Sequence, residues 1–245
     1  MRTLPAPRQI PADVAAMTIP ELKDLALRAG AELEGADPFT AMRWAVDTFG
    51  DAFCLASSFG DGLLTHVASQ VKPGIPVLFL ETGYHFAETI GARDAIESAY
   101  GIEVVNALPT LSVQEQDYRY GKDLFATDPD ACCAMRKVQP MARALAPYLA
   151  WGSGIRRDES ASRADTPVVG WDAKLDKVKV SPLAHWTQAT VDAYMQEHDI
   201  LVNLLVSDGY ASIGCAPCTS KVAPGADPRS GRWAGRNKDE CGLHA

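Results

Sequence analysis

The sequence predicts an α/β fold, a mostly parallel central sheet flanked by helices. Three observations carry this: short apolar runs of strand length, helical segments between them, and Ser/Gly- or Arg-rich turns at their carboxyl ends. The chain has 245 residues, of which 47% are hydrophobic. That is enough to bury one large core.

The elements follow in order. Leu22, Leu25 and Leu27, then Met42, Ala45 and Val46, give the first fifty residues a helical pattern. Asp37-Pro38 supplies a cap and a first-turn proline for the second of these helices. Ala52-Phe53-Cys54-Leu55-Ala56 reads as a buried strand that runs into Ser57-Ser58-Phe59-Gly60-Asp61-Gly62, with a helix from about Leu63. Pro76-Val77-Leu78-Phe79-Leu80 is a second strand, ending in Glu81-Thr82-Gly83 before another helix. Ile102 to Val105, Tyr148 to Trp151 and Val178 to Val180 read as further strands, and Thr187 caps a helix over Gln188 to His198. After Cys218, Pro224, Gly225, Pro228, Gly231 and Gly235 punctuate a segment with little apolar periodicity, which reads as a loop-like arm ordered by docking. The expected organisation is an N-terminal helical extension (1–38), an α/β domain (39–218) and a C-terminal arm (219–245).

The formal charge of −8 argues against a general nucleic-acid binder. Thr219 to Glu240 inverts this locally: Lys221, Arg229, Arg232, Arg236 and Lys238 outnumber Asp227, Asp239 and Glu240, which suits an anionic small molecule. No uninterrupted apolar stretch approaches the roughly 18 residues of a membrane span. The N-terminus shows no apolar signal core, so a cytoplasmic location is expected.

In that compartment thiols stay reduced, and clustered cysteines point to metal or catalysis rather than disulfides. Of six cysteines, two form the adjacent pair Cys132-Cys133, two a C-x-x-C at Cys215 and Cys218, and a fifth, Cys241, lies in the tail Glu240-Cys241-Gly242-Leu243-His244-Ala245. Neighbouring side chains diverge along helix or strand, which disfavours one zinc ion. A bulkier iron-sulfur cluster, usually held by four thiolates, accommodates them, so a 4Fe-4S cluster ranks ahead of zinc and zinc ahead of free thiols. Cys54, inside an apolar strand, reads as a buried small hydrophobe.

Open α/β sheets bind ligands beyond the carboxyl ends of their strands, where three loops fall: Ser57 to Gly62, Glu81 to Gly83 and Gly152 to Arg163. The first offers hydroxyls and N–H groups to a phosphate but lacks the Walker A spacing; an ordinary turn is the competing reading. The third carries Arg156, Arg157 and Arg163, whose planar forks suit phosphate and sulfate oxygens; a solvated charged face is its alternative. His66 and His198 read as packing or surface residues, and His185-Trp186 as structural.

Ser57-Ser58-Phe59-Gly60, Leu80-Glu81-Thr82-Gly83-Tyr84, the C-C-x-x-R-K run, the Arg-rich loop, C-x-x-C and the E-C-G-L-H tail together resemble the assimilatory adenylyl-sulfate reductases. The resemblance spans roughly Phe39 to His244. It implies an adenine nucleotide alpha hydrolase-like (PP-loop-like) fold with a mobile C-terminal arm. It further implies reduction of adenosine 5′-phosphosulfate to sulfite and AMP by thioredoxin, in the assimilation of sulfate toward cysteine. By this resemblance Cys241 is the catalytic nucleophile, and Cys132, Cys133, Cys215 and Cys218 hold a 4Fe-4S cluster. Ser57 and Ser58 lie in the nucleotide-phosphate loop, while Leu80 and Gly154 border the adenine through backbone groups. Lys137, Arg163, Arg229 and Arg232 are the cations around phosphate and sulfate, and His244 is the tail histidine near the substrate.

Thioredoxin and adenosine 5′-phosphosulfate are thus the expected partners, without nucleic acid or membrane, and with room left for a homo-oligomer. The rivals are the same reaction on the 3′-phosphorylated substrate, a PP-loop-type adenylating or tRNA-thiolating enzyme, and a non-enzymatic cluster-based sensor. The second predicts a loop closer to S-G-G-x-D-S and a basic surface; the third leaves the E-C-G-L-H tail without a purpose.

Overall fold

The computed structural model describes residues 9–235 and Lys238. Three helices come first: α1 (Ala12–Ala15), α2 (Ile19–Glu32) and α3 (Pro38–Phe49). Asp37 caps α3 as its sequence suggests, accepting hydrogen bonds from the Phe39 and Thr40 amides at 2.9 and 3.1 Å. Such a cap contributes about 1 kcal/mol. The chain then runs β1 (Phe53–Ala56), α4 (Leu63–Val71), β2 (Pro76–Leu80), α5 (Ala87–Tyr100) and β3 (Glu103–Ala107). Helices α6 (Val113–Tyr120), α7 (Leu124–Thr127), α8 (Pro129–Cys133) and α9 (Gln139–Leu145) lead to β4 (Ala150–Ser153). Strands β5 (Val169–Asp172) and β6 (Lys177–Val180) precede α10 (Gln188–Glu197) and α11 (Leu204–Ser207).

Among the described residues the strands form one six-stranded sheet in the order β3-β2-β1-β4-β6-β5. Every neighbouring pair is parallel except β5 with β6. The parallel strands arise where apolar runs were expected. Strand β5 was not: Pro167 and Gly170 flank and interrupt its short apolar run, Val168-Val169, and both residues lower strand propensity. As the antiparallel edge strand it has one ladder to satisfy, so the interruption is tolerated.

Alternation along β1 divides the core. Phe53 and Leu55 join one layer with Phe49, Val67, Val77 and Phe79, while Cys54 joins the other with Leu78, Met141, Leu145, Tyr148 and Trp151. Both faces are covered, as parallel sheets require. Burying each large side chain contributes about 1.5–3 kcal/mol. Leu22, Ala26 and Ala29 of α2 belong to the same core as β1, and α2 lies against β5 and β6. A side chain at Gly30 would meet the Val169 carbonyl oxygen at 2.4 Å, so glycine permits this close approach.

Candidate functional site

The chain passes from β1 outward to β2 and β3, then returns to lay β4 on the other side of β1. The connections leaving β1 and β4 therefore diverge, which makes this the topological switch point, where open α/β sheets form their ligand crevice at the carboxyl end. The first and third sequence-predicted loops leave the sheet there.

On the β1 side, Ser57 Oγ accepts from the Phe59 amide at 3.1 Å, and Phe59 takes a left-handed φ of 54°. The strain is held by the buried Phe59 ring, edge-on to Phe79 at 5.6 Å. Ser58 is left exposed. Asp61 Oδ1 accepts from the Leu63 amide at the start of α4 (2.9 Å), and burial pushes its carboxyl above the usual range. On the β4 side, a Cβ added at Gly154 would meet Leu64 and Leu183 only at ordinary contact distance. The three arginines beyond it are met by acids: Arg156 by Asp158 (3.1 Å) and Glu159 (3.7 Å), Arg157 by Glu34 (2.8 Å), and Arg163 by Glu159 (2.5 Å). His185 joins the Arg157 group, accepting from the Gly35 amide at 3.0 Å. His66 packs instead among Tyr100, Tyr194 and His198.

The second predicted loop, after β2, serves a different neighbour. The Leu80 carbonyl is bonded to His85 Nε2 (2.8 Å). The buried Thr82 hydroxyl is 3.3 Å from Cys215 Sγ, and the Tyr84 carbonyl accepts from the Ala216 amide at 2.7 Å. This loop is thereby tied to the C-x-x-C segment rather than to the crevice alone.

Opposite stands the helix that carries the adjacent cysteines. Asp128 caps it through the Ala131 amide (2.9 Å), with Pro129 in the first turn. Between α8 and α9 the helix widens to a π turn over Ala134–Val138, where the Gln139 amide bonds the Ala134 carbonyl. Pro140 explains the widening: it has no N–H to donate, and in a regular α-helix its ring would clash with the Arg136 carbonyl. The widened turn presents Arg136 and Lys137, both buried. Arg136 donates to the Thr82 carbonyl and to Gln116 Oε1 (3.0 Å) and lies over the Tyr84 ring, clamping the β2 loop to the helix.

Cys132, Cys133, Cys215 and Cys218 line one pocket with Tyr84, Phe125, Pro129, Arg136 and Lys137. Burial and the three neighbouring thiols push the Cys132 thiol up to about 11. Among the described residues there is no group of three or more His, Cys, Asp or Glu poised for a single metal ion. Four soft thiol donors lining one pocket are a donor set that a larger iron-sulfur cluster would suit. The Trp233 indole N–H, beside this segment, is buried without a hydrogen-bond acceptor among the described residues. The residues fit such a group.

Trp233 also gathers the arm's cations. Its amide donates to the Cys218 carbonyl (3.1 Å), its φ is 47°, and its ring faces Arg232 at 4.5 Å, Lys238 at 5.4 Å and Lys137 at 5.9 Å. Arg232 lies across Gly214, where any Cβ would meet its guanidinium at 2.3 Å. Arg229 is half-buried on the same segment, next to Asp227. Trp233 is itself buried, so its ring and amide hold this segment against Cys218. Cys241 and His244 lie outside the described residues. The sequence did not single out Asp61, Arg136 or Glu159 individually, although Arg136 sits within the C-C-x-x-R-K run.

Fold and site together define an α/β protein with a switch-point crevice suited to a nucleotide and an adjoining four-thiol pocket. The phosphoadenosine phosphosulfate reductase domain matches residues 53–221, and the chain belongs to that family. It is 56% identical over 227 residues to a Streptomyces coelicolor protein named adenosine 5′-phosphosulfate reductase, covering 93% of this chain and 96% of that one. A Rhodococcus opacus protein of the same name is 53% identical over 243 residues, covering 95% and 98%. Among solved structures, a phosphoadenylyl-sulfate reductase from Candida auris in a phosphate complex aligns at a TM-score of 0.68 and 26% identity, over 82% of this chain and 97% of that one. A Candida glabrata FMN adenylyltransferase aligns at 0.51 and 13% identity, over 82% and 72%, a likeness of fold alone. No described helix is long and apolar enough to cross a membrane.

Proposed function

We propose that this chain reduces adenosine 5′-phosphosulfate to sulfite and AMP, in the cytoplasm, with thioredoxin as the electron donor. The observation that carries the reading is the four-cysteine pocket with buried Lys137 in its wall, beside a nucleotide-type crevice. The choice of the unphosphorylated nucleotide rests on the names of relatives at 50–56% identity.

The chemistry follows from charge. The sulfate sulfur is electrophilic and AMP is a good leaving group, but anionic oxygens repel an incoming thiolate. Cations on the sulfate oxygens lower that barrier, and Lys137, Arg163, Arg229 and Arg232 are the candidates. The same field favours Cys241 as thiolate. Its sulfur bonds the sulfate sulfur as the S–O bond to AMP breaks, leaving S-sulfocysteine. A thioredoxin thiolate then attacks Cys241 Sγ, sulfite departs with the S–S bonding pair, and thioredoxin's second thiol resolves the mixed disulfide. The dithiol thus supplies both electrons. Cys132, Cys133, Cys215 and Cys218 would hold a 4Fe-4S cluster, which would join the two cysteine segments and contribute to the electrostatics beside Lys137.

Anaerobically purified protein is expected to contain iron and acid-labile sulfide, and to form sulfite from adenosine 5′-phosphosulfate with reduced thioredoxin. Cys215→Ser should lose most of both inorganic components. Zinc without labile sulfide would overturn the cluster assignment. Turnover confined to the 3′-phosphorylated nucleotide would overturn the substrate.

A further inference from the structure

We propose that Glu159 is a positioning residue that occupies Arg163 before the anionic substrate arrives, competes with that anion for it and so sets how tightly the anion binds. The inference rests on the reading of Arg163 as a substrate cation.

Glu159 occupies Arg163 in the way an oxyanion would. Its Oε2 accepts from Arg163 Nη1 at 2.5 Å and from the Arg156 amide at 3.1 Å, while Oε1 stands 3.7 Å from Arg156 Nη1. A guanidinium engages carboxylate, phosphate and sulfate through the same fork, so an incoming phosphosulfate competes for the group Glu159 already holds. The pair is well sheltered, with side-chain exposures of 13% for Arg163 and 25% for Glu159, so solvent screens it incompletely.

The surroundings make this carboxylate matter. Asp61, on the β1 wall, is close enough to feel both Arg156 and Glu159, which places charges of both walls in one electrostatic cluster. Within it, Arg156 meets Asp158 and Glu159, Arg163 meets Glu159, and Asp61 adds a third acid beside two arginines. The loop holds its arginines in a defined arrangement, and the cost of that order is a carboxylate the substrate must displace. Glutamine at position 159 keeps an oxygen to accept from the Arg156 amide and removes the charge, with an NH2 in place of the second oxygen.

The test compares wild type, Glu159→Gln and Arg163→Ala as holoenzymes, measuring binding of AMP and of uncharged adenosine by calorimetry, with steady-state kinetics alongside. For Glu159→Gln the AMP Kd should fall about three- to tenfold, the scale of one partly exposed ion pair. Adenosine affinity should stay unchanged, and KM for adenosine 5′-phosphosulfate should fall at constant kcat. Unchanged or weaker AMP binding overturns the proposal, as does an equal change for adenosine, which would mark Glu159 as a structural brace. Arg163→Ala separates the two levels. If it weakens AMP binding while Glu159→Gln has no effect, only the role of Glu159 falls. If Arg163→Ala leaves both AMP binding and the KM for adenosine 5′-phosphosulfate intact, Arg163 is not a substrate cation and the role of Glu159 falls with it.

Discussion

Cys241→Ser is expected to abolish sulfite formation, lowering turnover by about a thousandfold or more, because a hydroxyl at neutral pH offers almost none of the nucleophilicity of a thiolate. Binding of AMP and the iron content should be unchanged, since the substitution leaves the four pocket cysteines and the β1 and β4 loops as they are. Serine would also remove the sulfur that thioredoxin attacks, so both half-reactions are lost together. The check is sulfite released per enzyme under anaerobic turnover, with iron measured on the same sample. Activity near the wild-type level would mean that another group attacks the sulfate.

The second large effect belongs to Lys137. It lies on the widened helical turn that Pro140 imposes, is buried, lines the pocket with all four cysteines, and faces the Trp233 ring at 5.9 Å. From there its ammonium can stand between the cysteine pocket and an anionic ligand. Lys137→Ala is expected to slow transfer of the sulfo group to Cys241 by about a hundredfold, the scale of one lost electrostatic stabiliser. The iron content should be retained, because lysine is not a thiol ligand. The measurement is the single-turnover rate of AMP release together with iron analysis. An unchanged rate with iron retained would remove Lys137 from the mechanism.

Much of this architecture is written locally. The apolar runs of β1, β2 and β4, the Asp37 cap and the turns that end the strands each depend on near neighbours, and the sequence displays them directly. The two cysteine pairs are legible for another reason: thiol pairs are uncommon enough in a reduced compartment that their spacing points to a shared site. What the sequence hides is long-range pairing. Arg157 reads as an anion ligand until Glu34, 123 positions away, is found beside it. Arg136 sits undistinguished in the C-C-x-x-R-K run, yet its hydrogen bonds go to Thr82, Leu111 and Gln116. Strand β5 escapes notice because an edge strand tolerates the proline and glycine that elsewhere signal a loop. The role of Glu159 depends on a loop folding back on itself, which composition alone does not report.

The central claim is that sulfur is transferred to Cys241 before any electron donor acts. Intact-protein mass spectrometry of reduced enzyme mixed with adenosine 5′-phosphosulfate, without thioredoxin, tests it most directly. The account predicts a gain of one SO₃ unit mapping to Cys241, with AMP released, and loss of that mass as sulfite once reduced thioredoxin is added. Unmodified Cys241 in folded, cluster-loaded protein that turns over when thioredoxin is supplied would contradict it.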